Sequence, residues 1–151
     1  MDPARLTSIL LVEDNPDDEV LTVRALKQHR VANEITVARD GAEAIAYFAG
    51  AADRKARGET PLPQVMLLDL KLPKVDGLEV LQHVRKNPET RLLPVVVLTS
   101  SREERDLVES YRLGANSYIR KPVDFNQFSE AVRQLGMYWI VLNESPPVTG
   151  A

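Results

Sequence analysis

Five short apolar runs recur along the chain, at Ile9 to Val12, Ile35 to Ala38, Val65 to Leu68, Val95 to Leu98 and, more weakly, Tyr118 to Ile119. Each has the length of a strand and is too short for a helix. A continuous β-branched run such as Val95-Val96-Val97-Leu98 predicts a strand buried on both faces, which is the pattern of a parallel sheet. The stretches between them have helical character. Asn15-Pro16 offers an N-cap followed by proline at the first helical position, and Asp17, Asp18 and Glu19 then fall where the helix dipole favours anions. Further helices are predicted over roughly 42–48, 78–86 and 103–113, and from Phe125 onward. Strand then helix, repeated with no longer period, predicts a doubly wound α/β sheet with helices on both faces.

Two segments depart from this alternation. Gly50 to Pro63 is polar and charged, and reads as a long solvated connection between the second helix and the third strand. At the other end, Phe125, Phe128, Val132, Leu135, Trp139 and Leu142 follow spacings of three and four, giving one apolar stripe for packing on the sheet. Met137, Tyr138, Ile140 and Val141 add apolar residues on other faces just past Gly136. Whether the helix continues through that glycine or stops there, apolar surface is left seeking a partner. The expectation is a homodimer with Met137, Tyr138, Trp139, Ile140 and Val141 in its interface. Residues 1–142 read as one domain, with an extended helix or arm over 125–142 and a frayed tail over 143–151.

Composition narrows the possibilities. At 151 residues there is room for one domain, and 44% hydrophobic with 27% charged residues suits a folded core. Lysine and arginine total 19 against 22 acidic residues, a net charge of -3, so no basic field favours nucleic acid or anionic lipid. The absence of cysteine excludes disulfides, thiolate metal sites and cysteine nucleophiles, and suits a reducing compartment such as the cytoplasm. No apolar stretch has the length of a membrane span or a signal peptide.

In an open parallel sheet the functional crevice lies at the carboxyl ends of the strands. The first strand ends in Glu13-Asp14, the third in Asp69, the fourth in Thr99 and the fifth in Lys121, so carboxylates, a hydroxyl and an ammonium are expected at one edge. Carboxylates brought close repel unless a cation intervenes, and an all-oxygen set suits a hard ion such as magnesium, whose usual further ligands are phosphate oxygens. A single aspartate after a strand ordinarily caps a helix, and a single lysine is ordinarily solvated; their joint occurrence with Asp14 and Thr99 at strand ends is what singles out Asp69 and Lys121. Asp17, Asp18 and Glu19 are accounted for by the helix start and are not ligands. Ser100 and Ser101 have capping-box spacing to Glu103 and Glu104, Asp76-Gly77 reads as a turn, and His29 and His83 read as surface residues without a role.

The segments Ile9-Leu10-Leu11-Val12-Glu13-Asp14-Asn15, Leu67-Leu68-Asp69-Leu70-Lys71-Leu72-Pro73-Lys74-Val75-Asp76-Gly77, Val97-Leu98-Thr99-Ser100-Ser101 and Gly114 to Pro122 resemble the receiver domain of two-component response regulators. The likeness covers roughly Ser8 to Val141. It implies a flavodoxin-like five-stranded sheet of order 2-1-3-4-5, with Asp69 as phosphoacceptor and a histidine kinase as donor. It further implies Mg2+ held by Asp14, Asp69, the backbone carbonyl of Lys71 and Glu13, where many relatives have aspartate. Lys121 and Thr99 would bind phosphoryl oxygens, and the Lys121-Pro122 peptide would be cis. Thr99 and Tyr118 would be the switch pair that passes the change to the fourth helix, fifth strand and fifth helix, and so to a downstream protein.

The long loop and the Tyr138-Trp139 ending resemble the small regulators associated with bacterial phytochrome kinases, and the expectation is a stand-alone receiver that is not an enzyme in its own right. Three rivals are weighed against it. An aspartate-nucleophile phosphohydrolase wants a second acid where this chain has Lys71. A flavin carrier would meet repulsion from the acidic first loop. A phosphorylation-independent adaptor would not require every chemical position to be filled.

Overall fold

The computed structural model describes residues 8–28, 34–121 and 125–136. Within them the chain runs β1 (Ser8–Val12), α1 (Pro16–Gln28), β2 (Glu34–Ala38), α2 (Gly41–Ala49), α3 (Ala51–Ala56), β3 (Val65–Leu68), α4 (Gly77–Lys86), β4 (Val95–Thr99), α5 (Glu104–Arg112), β5 (Ser117–Arg120) and α6 (Phe125–Gly136). All strand pairs are parallel and their order is β2-β1-β3-β4-β5, the expected topology. No described helix is long and apolar enough to cross a membrane.

The continuous apolar runs are explained by the two cores. β1, β3 and β4 are buried at every position, whereas β2 and β5, at the edges, are half-buried. Because side chains alternate across a strand, Leu10, Val12, Met66, Leu68, Val95 and Val97 fall on one face, against Phe48, Val80, Leu81 and Val84. Ile9, Leu11, Val65, Leu67, Val96 and Leu98 fall on the other, against Ala25 and Leu26 of α1. Helix starts obey local chemistry. Asn15 Oδ1 accepts the N–H groups of Asp17 and Asp18 at 2.9 and 3.1 Å, and the carboxylates of Asp40 and Asp76 cap α2 and α4 in the same way.

Two expectations require correction. Gly50 to Pro63 is not simply a loop: α3 occupies 51–56, where alanines favour a helix, and Gly50 separates it from α2. Nor is Arg54 there solvated. Its guanidinium donates to the carbonyls of Tyr47 and Pro61 at 2.6 and 2.8 Å and lies 3.8 Å above the Tyr47 ring, folding the connection back on itself. Ser101 does not form a capping box with Glu104. Its hydroxyl accepts the Glu103 N–H and donates to the buried carboxylate of Asp106. His83 is exposed on α4, as expected. His29, Pro122 and residues 137–151, including the predicted dimer interface, lie outside the described residues, as do the side chains of Phe125, Phe128, Val132 and Leu135.

The connection from β3 to α4 is held at both ends by backbone approach. A methyl group on Gly77 would overlap the Asp69 carbonyl oxygen and the Leu70 Cα, and one on Gly41 would overlap the Val75 carbonyl. The Gly77 N–H donates to the Leu70 carbonyl at 2.8 Å, closing the turn. Asp76-Gly77 is therefore a cap and a contact point rather than only a turn, and Gly77 sets where Asp69 sits. Gly77→Ala is expected to destabilise the protein by about 1–3 kcal/mol through overpacking, read as a lower urea midpoint at unchanged slope.

Candidate functional site

The strand ladders continue one residue past the strands, and that continuation positions the polar groups. Glu13 donates its N–H to the Ala38 carbonyl at 2.9 Å, Asp69 to Val12 at 3.0 Å and Lys121 to Thr99 at 2.7 Å. The residues that close β1, β3, β4 and the stretch after β5 are thereby fixed in register at one sheet edge. Side chains then converge: the Lys121 ammonium donates to Glu13 Oε1, to Asp18 Oδ2 at 2.9 Å and to Asp69 Oδ2 at 3.4 Å. Lys121, Glu13, Asp69 and Thr99 are all buried, while Asp14 is exposed at the mouth.

Among the described residues, Glu13, Asp14 and Asp69 present carboxylate oxygens within 4.8 Å of one another, close enough to share a metal ion. One observation favours that use. Glu13 Oε2 is buried and meets no hydrogen-bond donor among the described residues, so either a proton of its own or a hard cation must compensate it. Glu13 thus turns one oxygen to Lys121 and keeps the other available to a cation. Lys71 follows in the turn after Asp69 and donates its N–H to Asp69 Oδ1 at 3.2 Å. Its ammonium swings away and pairs with Asp106 at 3.3 Å.

Electrostatics divides the two buried acids. Burial pushes the Glu13 carboxyl up to about 8, reinforced by the neighbouring Asp69 carboxylate and opposed by Lys121. Burial also works to raise Asp69, but the Glu13 carboxyl, the Lys121 charge, the Thr99 hydroxyl and the Lys71 N–H together hold it below the usual carboxylate value. Burial alone would lower Lys121; its carboxylate partners more than compensate, so it stays an ammonium with a raised pKa. Asp69 is thus held toward its ionised form, while burial pushes Glu13 toward its protonated form.

A chain of polar contacts leads outward from this centre. Thr99 Oγ1 accepts the Ser101 N–H at 3.3 Å, Ser101 donates to Asp106 in α5, and the Tyr118 hydroxyl on β5 donates to the Ser101 carbonyl at 3.4 Å. Thr99 and Tyr118 are therefore linked through one residue. Ser101 and Asp106 were not legible as parts of this chain, since serine at that spacing ordinarily caps a helix. Asp18 is likewise explained by the helix start, yet it also meets Lys121; only the tertiary fold reveals the second contact.

The raised Glu13 pKa has a signed consequence. In the folded protein without cation, Glu13 keeps its proton between its ordinary value of 4.5 and about 8, while the unfolded chain gives it up. Its contribution to stability is therefore fully present below 4.5 and is lost as the pH rises through about 8. A divalent cation held by Glu13 would displace that proton. Calorimetric titration with Mg2+ or Mn2+ in buffers of different ionisation enthalpy is expected to show release of about one proton near neutral pH and almost none well above pH 8, with Glu13→Gln abolishing the difference.

Comparison with known proteins agrees with this geometry. The family model for the response regulator receiver domain matches residues 9–133. The bacteriophytochrome response regulator AtBRR is 56% identical, with a TM-score of 0.71 over 93% of this chain and 99% of its own. The phosphorylated cyanobacterial phytochrome response regulator RcpA is 37% identical, with a TM-score of 0.84 over 95% of this chain and 100% of its own. Response regulator Rcp1 of Synechocystis sp. is 38% identical over 87% of this chain and 88% of that protein. Its Mn2+-bound form superposes with a TM-score of 0.82 over 93% of this chain and 99% of that one, at 35% identity. The acidic cluster of Glu13, Asp14 and Asp69 fits the same kind of ion. The chain belongs to the family of response regulator receiver domains.

Proposed function

We propose that Asp69 accepts a phosphoryl group from a histidine kinase in a Mg2+-dependent reaction, and that the resulting charge change is passed to a partner protein. The carrying observation is the buried Lys121 ammonium lying 3.4 Å from Asp69 Oδ2, beside a cluster in which Glu13, Asp14 and Asp69 bring carboxylate oxygens within 4.8 Å of one another. An Asp69 carboxylate oxygen attacks phosphorus, the P–N bond of the phosphohistidine breaks, and the imidazole leaves with the electron pair and takes a proton. The product is an acyl phosphate. Glu13, Asp14, Asp69 and the Lys71 carbonyl would hold the cation, which supplies charge neutralisation as the phosphoryl oxygens develop charge. Lys121 neutralises one phosphoryl oxygen and Thr99 donates its hydroxyl to another.

Transmission follows from the contacts already present. A phosphoryl group brings more negative charge and more acceptor oxygens than a carboxylate, so the Thr99 hydroxyl is drawn toward it. Moving Thr99 disturbs its bond to Ser101, and through Ser101 both Tyr118 and Asp106. These contacts lead to α5 and β5, and the likeness to receiver domains adds α6 to the readout surface. Phytochrome-class histidine kinases are the donors this reading favours, because AtBRR and RcpA are phytochrome response regulators. Self-association through Met137, Tyr138, Trp139, Ile140 and Val141 is part of the same proposal.

Incubation with acetyl phosphate and Mg2+ is expected to add one phosphoryl mass to the intact protein and none to Asp69→Asn, with Lys121→Ala slowing uptake by about 10²-fold. Sustained release of phosphate without an accumulating adduct would instead support a phosphohydrolase, and no adduct in any variant would support an adaptor. In sedimentation, a chain ending at Gly136 is expected to run as a smaller species than the full chain at micromolar concentration; identical behaviour of the two would reject the dimer.

A further inference from the structure

We infer that Asp18 is a positioning residue that takes sole charge of the Lys121 ammonium when a divalent cation occupies the site. The inference rests on the phosphoacceptor reading above. Lys121 is 5% exposed, and among the described residues its three carboxylate neighbours are Glu13, Asp18 and Asp69. Glu13 and Asp69 also belong to the oxygen cluster that fits a metal ion; Asp18 does not. A cation arriving there competes with Lys121 for Glu13 and Asp69 and leaves Asp18 as the one carboxylate among the described residues whose pairing it does not contest. A buried ammonium deprived of its counter-ions is strongly unfavourable, so the Asp18 contact gains weight as the others are withdrawn.

Asp18 is well held for this task. Its N–H donates to Asn15 Oδ1 at 3.1 Å and its carbonyl accepts the Thr22 hydroxyl at 2.8 Å, so its backbone is locked into the first turn of α1. The demands of the helix start are met without its carboxylate, because Asp17 is in the same turn and Glu19, paired with Arg39 at 3.0 Å, is too. Of those three acids, only Asp18 reaches Lys121, at 2.9 Å across 103 residues of sequence. With Asp18 holding one proton of the ammonium, the others point toward Asp69, where the phosphoryl group forms. Without it, Lys121 is free to swing.

The test is a double-mutant cycle of Asp18→Asn and Lys121→Met, read by urea unfolding with and without Mg2+ and by acetyl phosphate uptake. Asp18→Asn is expected to lower the unfolding midpoint when Lys121 is present and to leave it unchanged in the Lys121→Met background. The coupling is expected to grow when Mg2+ is added. Phosphoryl uptake in Asp18→Asn is expected to slow about tenfold while Mg2+ affinity changes less than about twofold, and Asp18→Glu is expected to restore part of the rate. Equal loss of stability in both backgrounds would reduce Asp18 to a helix-start acid, and a parallel fall in Mg2+ affinity would make it a ligand; either overturns the inference. Should no variant take up phosphate, the phosphoacceptor reading fails, while the unfolding cycle still decides whether Asp18 holds Lys121.

Discussion

A single ammonium group buried among acids organises this molecule. Lys121 is sequestered from water at the edge of the sheet, and the carboxylates of Glu13, Asp18 and Asp69 surround it. A buried cation is tolerable only when paired, and buried carboxylates are tolerable only when something positive or hydrogen-bonding faces them. Each therefore makes the other possible. The acids outnumber the ammonium, and this excess of negative charge is what suits the site to a further, divalent cation. Glu13 expresses the imbalance most plainly, with one oxygen on Lys121, the other meeting no donor among the described residues, and a pKa pushed up to about 8.

The sheet makes such crowding affordable. Backbone hydrogen bonds from Glu13, Asp69 and Lys121 to the neighbouring strand ends extend the ladders just beyond the apolar strands. Two hydrophobic cores, one on each face, hold those strands rigidly. Side chains that would otherwise repel are delivered by elements too well packed to yield, so the cost of their proximity is met by core burial elsewhere. The glycine contacts at Gly41 and Gly77 serve the same end, seating the loop after Asp69 against two helix starts.

The same rigid frame carries polar contacts outward from the site. Thr99, Ser101, Asp106 and Tyr118 form a continuous polar path from the edge of β4 to α5 and β5, and Lys71 joins Asp106 to the loop that carries Asp69. A packed interior does not deform smoothly, so under the proposed function a shift at Thr99 would be felt at discrete contacts along that path.

Much of this was written locally. The strands, their double-sided burial, the α/β alternation, the Asn15 cap and the polar strand ends can all be read from residue order, because they depend on periodicities and neighbours a few positions apart. Residue order also marked Glu13, Asp14, Asp69, Thr99 and Lys121 as the groups delivered to one edge, since the carboxyl ends of parallel strands share a side. It could not say what these groups would touch. The pairing of Asp18 with Lys121, the junction at Ser101 and Asp106, the helix and folded-back Arg54 inside an apparently solvated connection, and the backbone approach at Gly77 all join residues that ordinary local chemistry had already explained. Local rules give each such residue a sufficient reason to be where it is, and a second role arises only when the sheet brings distant segments within hydrogen-bonding distance. Periodicity determined the elements and which groups reach the edge; three-dimensional packing decided the partners, because contact energies fall off over a few ångströms and sequence carries no measure of that distance.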